Sequence, residues 1–305
     1  MSIGFTHLRS FHAVAETGGF TRAAATLNIG QPTVTTQVKE LEQRYGVELF
    51  LRRGRRIELT QAGHALRDIT RRVMRLCADA EQLLASHGKL LAGDLRLAAV
   101  GPFHATEIIA AFRRAHPEVQ IAMLLGNSWQ TLSHVINLRA DVAILAHSAE
   151  DARIETVPYS THEVVVFVNR AHPWFGRRSI RLAELAREPL VLREQGSTTR
   201  LALEQAMAQA GLPLRQVLEI GSREGVWKAV EQGLGISAVA DFEFVPHPDL
   251  CTLRIEDCTI RTEYRIAYLA DRRESPRIRA FVAACESLRR AREGATPQGA
   301  PLPMG

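Results

Sequence analysis

Two groups of side chains in this sequence have the chemistry and spacing to bind phosphate-like groups. The first group lies near the N-terminus and combines short hydroxyls, amides and basic side chains. Short hydroxyls and amides reach base edges without steric bulk, and guanidinium groups bind backbone phosphates. We therefore predict a DNA interface that consists of Thr21, Gln31, Pro32, Thr33, Thr35, Thr36, Gln37, Lys39, Arg52, Arg53, Arg55 and Arg56.

The second group follows the ends of predicted strands, where open α/β sheets bind ligands against helix N-termini. The hydroxyl-rich run that ends at Arg200 suits a phosphate, phosphonate, sulfate or carboxylate. Ordinary helix capping is the alternative, and we favour it for Ser128 and Ser222 taken alone. His104 fits a structural role as well as a ligand contact. The candidate effector residues are Gly101, Pro102, Phe103, His104, Asn127, Ser128, Ser197, Thr198, Thr199, Arg200, Ser222, Arg223 and Glu224.

The elements that position the first group follow from apolar spacing. Leu8, Phe11 and Val14 predict an amphipathic helix that ends at Gly18-Gly19, and a short alanine-rich helix follows. Pro32 suits the first turn of a third helix, which places its neighbouring threonines on the outer face. The arginines flank Gly54 in a predicted hairpin. An isolated charged hairpin is usually only a solvated surface, but beside a helix-turn-helix it indicates phosphate or minor-groove contact.

Charge is concentrated where this DNA interface is predicted. Residues 1–75 contain 12 Lys and Arg against 6 Asp and Glu, whereas the remaining residues hold 26 against 27. A basic excess confined to one region is the electrostatic footprint of a nucleic-acid-binding protein. A membrane-surface role would require a basic amphipathic helix, and none stands out in the sequence.

Beyond these elements the sequence predicts a long helix and then an α/β region. Thr60 is the predicted N-cap of a helix that reaches about Leu91. Its apolar residues follow a heptad pattern, which predicts pairing with a second copy over packing within its own domain. Strands and helices then alternate from Gly93, a rhythm that predicts mainly parallel sheets. The heptad positions are Leu66, Ile69, Val73, Leu76, Ala80, Leu83 and Leu90, with His87 at one of them.

Several classes of protein are disfavoured by the sequence. We expect no signal peptide, no membrane span and a cytoplasmic location. Cys77, Cys251, Cys258 and Cys285 are scattered and read as reduced thiols, and we expect no metal site and no cofactor. Motifs of hydrolases, P-loop enzymes and metalloproteases are lacking, which disfavours an enzyme fused to a DNA-binding domain.

The N-terminal pattern resembles the LysR-type transcriptional regulators over more than fifty residues. The resemblance is carried by Leu8, Phe11, Val14-Ala15-Glu16, Gly19-Phe20, Ala23-Ala24, Leu27, Gln31-Pro32, Val34, Gln37-Val38, Leu41-Glu42, Gly46, Leu49-Phe50, Arg52, Arg55, Leu59-Thr60 and Ala62-Gly63. Gly30 and Thr35 stand where the family usually has serine, which affects the operator sequence and leaves the fold unchanged.

The resemblance implies an α/β protein with an N-terminal winged helix-turn-helix at residues 1–60 and a dimerising linker helix at 61–92. It implies an effector-binding domain at 93–293, with two Rossmann-like subdomains of periplasmic-binding-protein type. Subdomain I covers about 93–164 and 266–293, subdomain II covers about 165–265, and 294–305 form a disordered tail.

The resemblance also implies three partners, which are operator DNA, a small anionic effector and RNA polymerase. It implies that the protein associates with itself as a dimer or tetramer. The Gly-Ser-Thr-Thr-Arg run at 196–200 is similar to that of regulators associated with aminoethylphosphonate catabolism, and to that of regulators of sulfur and carbon assimilation. The first likeness implies 2-aminoethylphosphonate as effector, with its phosphonate at Ser197–Arg200 and its ammonium at Glu224.

Overall fold

The computed structural model describes residues 3–53, 56–85, 93–147 and 151–295 of the chain. The chain divides into two compact units, residues 1–89 and 90–305. None of the helices in the described ranges is both long enough and apolar enough to cross a bilayer. The last helix extends to Ala295, so the tail predicted at 294–305 falls almost entirely outside the described residues.

The first unit is a three-helix domain with a hairpin and a long helix. Glycines at the left-handed C-caps Gly18 and Gly46 end the first and third helices. Pro32 lies in the first turn of the third helix, as predicted. The elements are α1 (Phe5–Thr17), α2 (Phe20–Leu27), α3 (Gln31–Tyr45), β1 (Phe50–Arg53), β2 (Arg56–Leu59) and α4 (Gln61–Ala85).

The core of this unit is formed by the apolar faces that the sequence indicates. Phe11 and Val14 of α1 pack on Val34, Val38 and Leu41 of α3, and all five are fully buried. Small alanines on α2 let α3 cross closely. The three helices are therefore fixed by one shared core, which holds the outer face of α3 rigidly.

Helix α4 exposes part of its heptad pattern. Leu66 packs against the core of the first unit, whereas Ile69 and Leu76 are 57% and 61% exposed. An exposed apolar stripe of this kind suits a helix that packs against a partner. Dimerisation through α4 stays a prediction, and the heptad positions from Leu83 onward lie outside the described side chains.

The second unit alternates strands and helices. Its first part contains β3 (Gly93–Ala99), α5 (Pro102–Ala115), β4 (Val119–Leu125), α6 (Ser128–Ile136), β5 (Val142–Leu145) and β6 (Ile154–Asn169). Its middle part contains β7 (Ser179–Ile180), α7 (Leu182–Leu185), β8 (Leu190–Arg193), α8 (Thr198–Gln209), β9 (Gln216–Ile220), α9 (Arg223–Glu231) and β10 (Ser237–Ala240). A 3-10 helix at Asp241–Glu243 leads to β11 (Leu250–Ile255), β12 (Arg261–Leu269), a second 3-10 helix at Ala270–Arg272, and α10 (Pro276–Ala295).

The sheets of this unit are mixed, and the expectation of mainly parallel sheets was therefore wrong. Parallel pairing is found between β3 and its neighbours β4 and β5, between β8 and β9, and between β7 and β11. The long strands β6 and β12 pair antiparallel with each other, and β10 and β11 pair antiparallel with β6. The reason is that the chain crosses between the subdomains twice, in opposite directions, so the two crossing strands pair antiparallel. Repeated βαβ units alone would give only parallel pairs.

Strands β6 and β12 join the two subdomains. The first part of β6 pairs with β12, and its last part pairs with β10 and β11. The change occurs around His162, which pairs with Thr262, and Val164, whose N–H donates to the carbonyl of Ile260. The subdomain boundaries expected at about residues 164–165 and 265–266 lie within a few residues of these positions.

Each subdomain has a core of its own. In subdomain I, Leu95, Ile108 and Phe112 pack with Ile266 and Phe281. In subdomain II, strands β6 and β8 pack on α8 through residues such as Val166, Leu190 and Leu203. Separate cores on either side of two shared strands leave a cleft whose walls can move relative to each other.

Candidate functional sites

The outer face of α3 presents polar groups on a rigid support. Gln31, Pro32, Thr33, Thr36 and Lys39 are exposed, while Val34 and Val38 anchor the opposite face. Thr21 is exposed in the first turn of α2. These residues form an accessible surface of the helix-turn-helix. Since a major groove is wide enough for one α-helix, α3 can enter it with this surface.

Two side chains of this face already form hydrogen bonds within the first unit. Gln37 is half-buried, and its Oε1 accepts a 2.5 Å hydrogen bond from Ser10 Oγ. Thr35 Oγ1 donates to the carbonyl of Gln31 at 3.0 Å. Gln37 therefore has a fixed orientation, and Thr35 uses its hydroxyl proton within the helix. Thr33 and Thr36 are the better placed hydroxyls for a base edge.

Thr60 connects the hairpin to α4. Its Oγ1 accepts from the N–H of Gly63 at 2.9 Å, as predicted for an N-cap, and donates to the carbonyl of Glu48 at 2.7 Å. Strands β1 and β2 pair antiparallel from Phe50–Leu59 to Arg53–Arg56. The turn at residues 54–55 and the side chains of Arg52, Arg53, Arg55 and Arg56 lie outside the described residues, so their DNA contacts stay a prediction.

In the second unit, two helix N-termini face each other across the cleft. Helix α6 begins in subdomain I and α8 begins in subdomain II. The hydroxyls of Ser128 and Thr198 lie 2.6 Å apart and join these two ends by a hydrogen bond. Asn127 caps α6 through a capping box with Gln130, so the predicted capping role of Ser128 was wrong. The positive ends of two helix dipoles therefore converge on one place.

Ser197 and Ser222 illustrate the two readings of such residues. Ser222 caps α9, since its Oγ accepts from the N–H of Gly225 at 3.0 Å, as predicted. Ser197 occupies the N-cap of α8, but within the described residues its side chain makes no capping hydrogen bond. Ser197 is also only 8% exposed. Its hydroxyl therefore lies in the cleft wall and does not have the helix-capping role that its position suggests.

Two small cavities of about 20 Å³ each lie where these residues meet. Arg193, Ser197, Thr199 and Arg223 line both. A cavity of this size holds about one water molecule. The cleft is thus almost closed, and a metabolite needs the walls to separate before it enters. We call this place the anion pocket, and its remaining walls include Asn127, Ser128, Thr198, Tyr264 and Glu243.

The basic groups of the anion pocket are already balanced by carboxylates. Arg193 makes a bidentate pair with Glu194, at 2.8 and 3.0 Å. Arg223 Nη2 lies 2.8–2.9 Å from the two carboxylate oxygens of Glu243, which is 2% exposed. Burial raises the pKa of Glu243, and the charge of Arg223 opposes this effect only in part. An anionic ligand must therefore compete with these carboxylates for the two guanidinium groups.

The role predicted for Arg200 needs correction. Its guanidinium donates to Glu204 and Glu219 at 2.7 Å each, to the carbonyl of Arg193 at 2.7 Å and to Gln216 at 3.2 Å. The side chain is only 8% exposed and does not line the anion pocket. Arg200 therefore braces α8 against strand β9, and Arg193 and Arg223 are the arginines of the pocket.

The segment from Gly101 to His104 is divided among three environments. A Cβ at Gly101 would lie 2.7 Å from Arg223 Nη1, so a glycine makes room for that side chain. Pro102, Phe103 and Glu224 line an adjoining groove of about 400 Å³, which shares Arg223, Trp227 and Glu243 with the anion pocket. These three predicted residues are therefore neighbours of the anion pocket and do not line it. His104 is 5% exposed, and its ring stacks on Phe242 at 4.0 Å.

Sequence reasoning did not identify Glu243 and Tyr264 as residues of the pocket, and it placed Arg193 in the hydroxyl-rich segment 193–200 without counting it among the candidate effector residues. Arg193 directly precedes the hydroxyl run at the end of β8, so its position at a strand end was a usable signal. Glu243 and Tyr264 come from a 3-10 helix and from β12, and nothing local in the sequence brings them together. Among the described residues, no group of three or more His, Cys, Asp or Glu side chains is arranged to hold a metal ion.

Comparison with known proteins identifies the family. The profile of the bacterial regulatory helix-turn-helix protein of the lysR family matches residues 5–64, and that of the LysR substrate binding domain matches residues 88–289. The chain belongs to the LysR family. It is a LysR-type transcriptional regulator, which confirms the resemblance and the predicted fold class.

Relatives agree with this assignment. The chain is 33% identical over 264 residues to the HTH-type transcriptional activator CmpR of Synechocystis, covering 85% of this chain and 86% of CmpR. A full-length OxyR variant of Pseudomonas aeruginosa has the same fold, with a TM-score of 0.76, 24% identity and 95% coverage of both chains. The curated relatives are named as transcriptional regulators, so the alternative of an enzyme fused to a DNA-binding domain is rejected.

One similar solved structure is a complex with a ligand. The regulatory domain of CcmR from Synechocystis PCC6803, in complex with 2-PG, matches this chain with a TM-score of 0.59 and 25% identity. The match covers 65% of this chain and 97% of that domain.

Proposed function

We propose that this regulator binds a small phosphate or phosphonate in the anion pocket and that this binding changes its action at an operator. One observation carries the proposal. Two helix N-termini from opposite subdomains, joined by the 2.6 Å contact of Ser128 and Thr198, meet beside two arginines. Helix N-termini and guanidinium groups both bind phosphoryl oxygens, and here they come from both walls of one cleft. An anion that replaces the Ser128–Thr198 bond would link the two subdomains through itself.

The CcmR regulatory domain, which shares the fold and a quarter of the aligned residues, forms a complex with 2-PG, and this supports a small-molecule effector for the present domain. Within the class, 2-aminoethylphosphonate remains the candidate that the Gly-Ser-Thr-Thr-Arg run suggests. Its ammonium would pair with Glu243, because Glu243 lines the anion pocket and Glu224 does not. Ser197, Thr199, Arg193 and Arg223 would hold its phosphonate.

A thermal-shift comparison tests the effector proposal. We expect 2-phosphoglycolate or 2-aminoethylphosphonate at 100 times Kd to stabilise the protein by about 2.7 kcal/mol, with no comparable effect of acetate. Thr199→Val removes one hydroxyl at nearly constant volume and should weaken this binding about tenfold, which corresponds to one lost hydrogen bond.

Thr106→Val is the matched control, since Thr106 Oγ1 bonds to the carbonyl of Pro102 within α5 and lies outside the anion pocket. It should retain the response of the unmodified protein. Equal ligand stabilisation of the Thr199 and Thr106 variants would contradict the proposed site.

On the DNA side, we propose that α3 reads bases and that the hairpin arginines bind the backbone. Thr33→Val and Thr36→Val keep the shape of the exposed face but remove its hydroxyls. Each should change the preferred base at a position of the operator, with an effect of about 1–3 kcal/mol. Selection of binding sites from random duplexes measures this preference. Thr6→Val, at an exposed position of α1, should leave it unchanged. Unaltered base preferences in both α3 variants would rule out α3 as the reading helix.

We also propose that the protein acts as a dimer or tetramer through α4, since two half-sites need two recognition helices at a fixed separation. The exposure of Ile69 and Leu76 supports this proposal.

A further inference from the structure

A buried ion pair forms one side of the anion pocket. Arg223 Nη2 lies 2.9 Å from Oε1 and 2.8 Å from Oε2 of Glu243. The Glu243 side chain is 2% exposed, whereas that of Arg223 is 19% exposed. The arginine is therefore the partner that an entering anion can reach, and the carboxylate is the partner that cannot move into water.

Groups from both sides of the cleft enclose the carboxylate of Glu243. Tyr264 on β12 donates its hydroxyl to Oε1 at 3.2 Å. A Cβ at Gly101, which directly precedes α5 of subdomain I, would lie 3.2 Å from the same oxygen. Glycine therefore allows the backbone of subdomain I to approach the ion pair closely. The small cavity that Glu243 lines holds about one water molecule, which cannot replace the charge of a guanidinium group.

The ionised state of Glu243 depends on the arginines of the anion pocket. Burial raises the pKa of Glu243, and the charge of Arg223 is the largest influence that opposes this effect. Arg193 opposes it as well, and both arginines line the anion pocket. A bound anion therefore uses the same two charges that keep Glu243 ionised. The charged and titratable groups that face Glu243 are Arg223 of α9, Tyr264 of β12, Arg193 of β8 and His162 of β6, with Asp241 on its own 3-10 helix.

An anion in the pocket must raise the pKa of Glu243 further. If the anion displaces Glu243 from Arg223, the carboxylate keeps one described donor, the hydroxyl of Tyr264. If the anion binds another edge of the guanidinium, two negative groups share one site, which disfavours the ionisation of the more buried one. In both arrangements Glu243 needs either a proton or a new cationic partner.

We propose that Glu243 determines which anions this regulator accepts. A phosphoryl ligand without a positive group binds together with one proton, which Glu243 takes from the solvent. A zwitterionic ligand binds without this proton, because its ammonium takes the place of Arg223 beside Glu243. This inference rests on the proposed function, since it concerns the same pocket, and it specifies the effector class as a small phosphonate or phosphate ester that carries an amine.

The pH dependence follows from the pKa of Glu243 in the free and bound protein. With a ligand that lacks an amine, the bound form has the higher pKa and holds the additional proton between the two values. The affinity for such a ligand is therefore highest below the pKa of the free protein. It falls by up to about tenfold per pH unit above that value and becomes constant above the pKa of the complex. An ammonium beside Glu243 lowers the pKa again, and this dependence disappears.

Two ligands of nearly the same shape test the inference on the full-length protein. They are 2-aminoethylphosphonate and n-propylphosphonate, in which a methyl group replaces the ammonium. Titration calorimetry in buffers of different ionisation enthalpy, from about pH 6 to pH 8.5, gives the protons taken up per bound ligand. After correction for the ionisation of the free ligands, we expect about one proton at the maximum for n-propylphosphonate and none for 2-aminoethylphosphonate. At the alkaline end, 2-aminoethylphosphonate should bind at least about tenfold more tightly.

Glu243→Gln should abolish the proton uptake with n-propylphosphonate and remove the preference for the amine. Glu184→Gln is the matched control, since Glu184 pairs with Arg177 at 2.9 and 3.1 Å and lies outside the anion pocket. It should retain both properties of the unmodified protein. The comparison of the two ligands in the unmodified protein does not require that the Glu243 variant folds.

Three results would each overturn the role of Glu243 and leave the effector site standing. They are binding of n-propylphosphonate without proton uptake, an unchanged preference for the amine in Glu243→Gln, and a loss of proton uptake in Glu184→Gln. A failure of both phosphonates and of 2-phosphoglycolate to bind would overturn the effector site and this inference together.

Discussion

Arg223→Ala is expected to destabilise the second unit by about 3–5 kcal/mol, because it leaves the carboxylate of Glu243 buried without its partner. Glu243 is 2% exposed, and its remaining described donor is the hydroxyl of Tyr264 at 3.2 Å. The three tryptophans, at 129, 174 and 227, all lie in this unit, so their fluorescence during urea unfolding reports on it alone.

Replacing the unpaired Glu243 carboxylate by a neutral group should restore most of the stability that Arg223→Ala removes. The double variant Arg223→Ala with Glu243→Gln removes the buried charge, and its stability should return to within about 1–2 kcal/mol of the original protein. The loss in the single variant should also shrink at acid pH. Burial raises the pKa of Glu243, and removing Arg223 raises it further, so the group gains a proton as the pH falls. A double variant as unstable as the single one would show that Arg223 acts through packing and not through charge.

Gly63→Ala should destabilise the first unit, although alanine normally favours a helix by about 0.8–1.0 kcal/mol over glycine. A Cβ at this position would lie 2.2 Å from the carbonyl oxygen of Leu49 and 2.9 Å from Leu59 Cδ2. The carbonyl of Leu49 cannot move freely because it accepts from the N–H of Thr60 at 3.1 Å. We expect a net loss of about 1–3 kcal/mol and weaker DNA binding, since α4 and the hairpin must separate.

Calorimetry of the full chain and titration with operator DNA measure these two effects. Ala62→Gly is the control at the adjacent exposed position, where only helix propensity acts, and it should cost about 1 kcal/mol without a change in DNA affinity. If Gly63→Ala instead raised the melting temperature, the close contact between α4 and the hairpin would be incorrect.

The first unit could be predicted from sequence because its signals are local. Gly18 ends α1, Pro32 starts α3 and Thr60 caps α4, and each acts within a few residues of its own position. The antiparallel crossing of β6 and β12 could not be predicted in this way. It depends on pairing between segments about one hundred residues apart, and their apolar patterns do not distinguish parallel from antiparallel neighbours.

The effector site shows the same limit. The run from Ser197 to Thr199 was located from its hydroxyls, and the structure places it at the N-terminus of α8. The role of Arg200 was misread because Glu219 reaches it from the adjacent strand β9, although Glu204, four residues later on the same helix, was a readable warning. Sequence position also could not show that His104 meets His162 and Asp241, which come from two other segments.

Strands β6 and β12, which run through both subdomains, also limit how far the two subdomains can rotate relative to each other. Because β6 and β12 are bonded to each other over most of their length, the subdomains can turn only as this ribbon twists. Such a ribbon resists large angles and returns elastically, unlike a loop hinge. Displacements near the ribbon are then small, while those at the far rims are amplified by leverage. A fluorescent reporter of this protein should therefore carry its dyes on the outer ends of the subdomains.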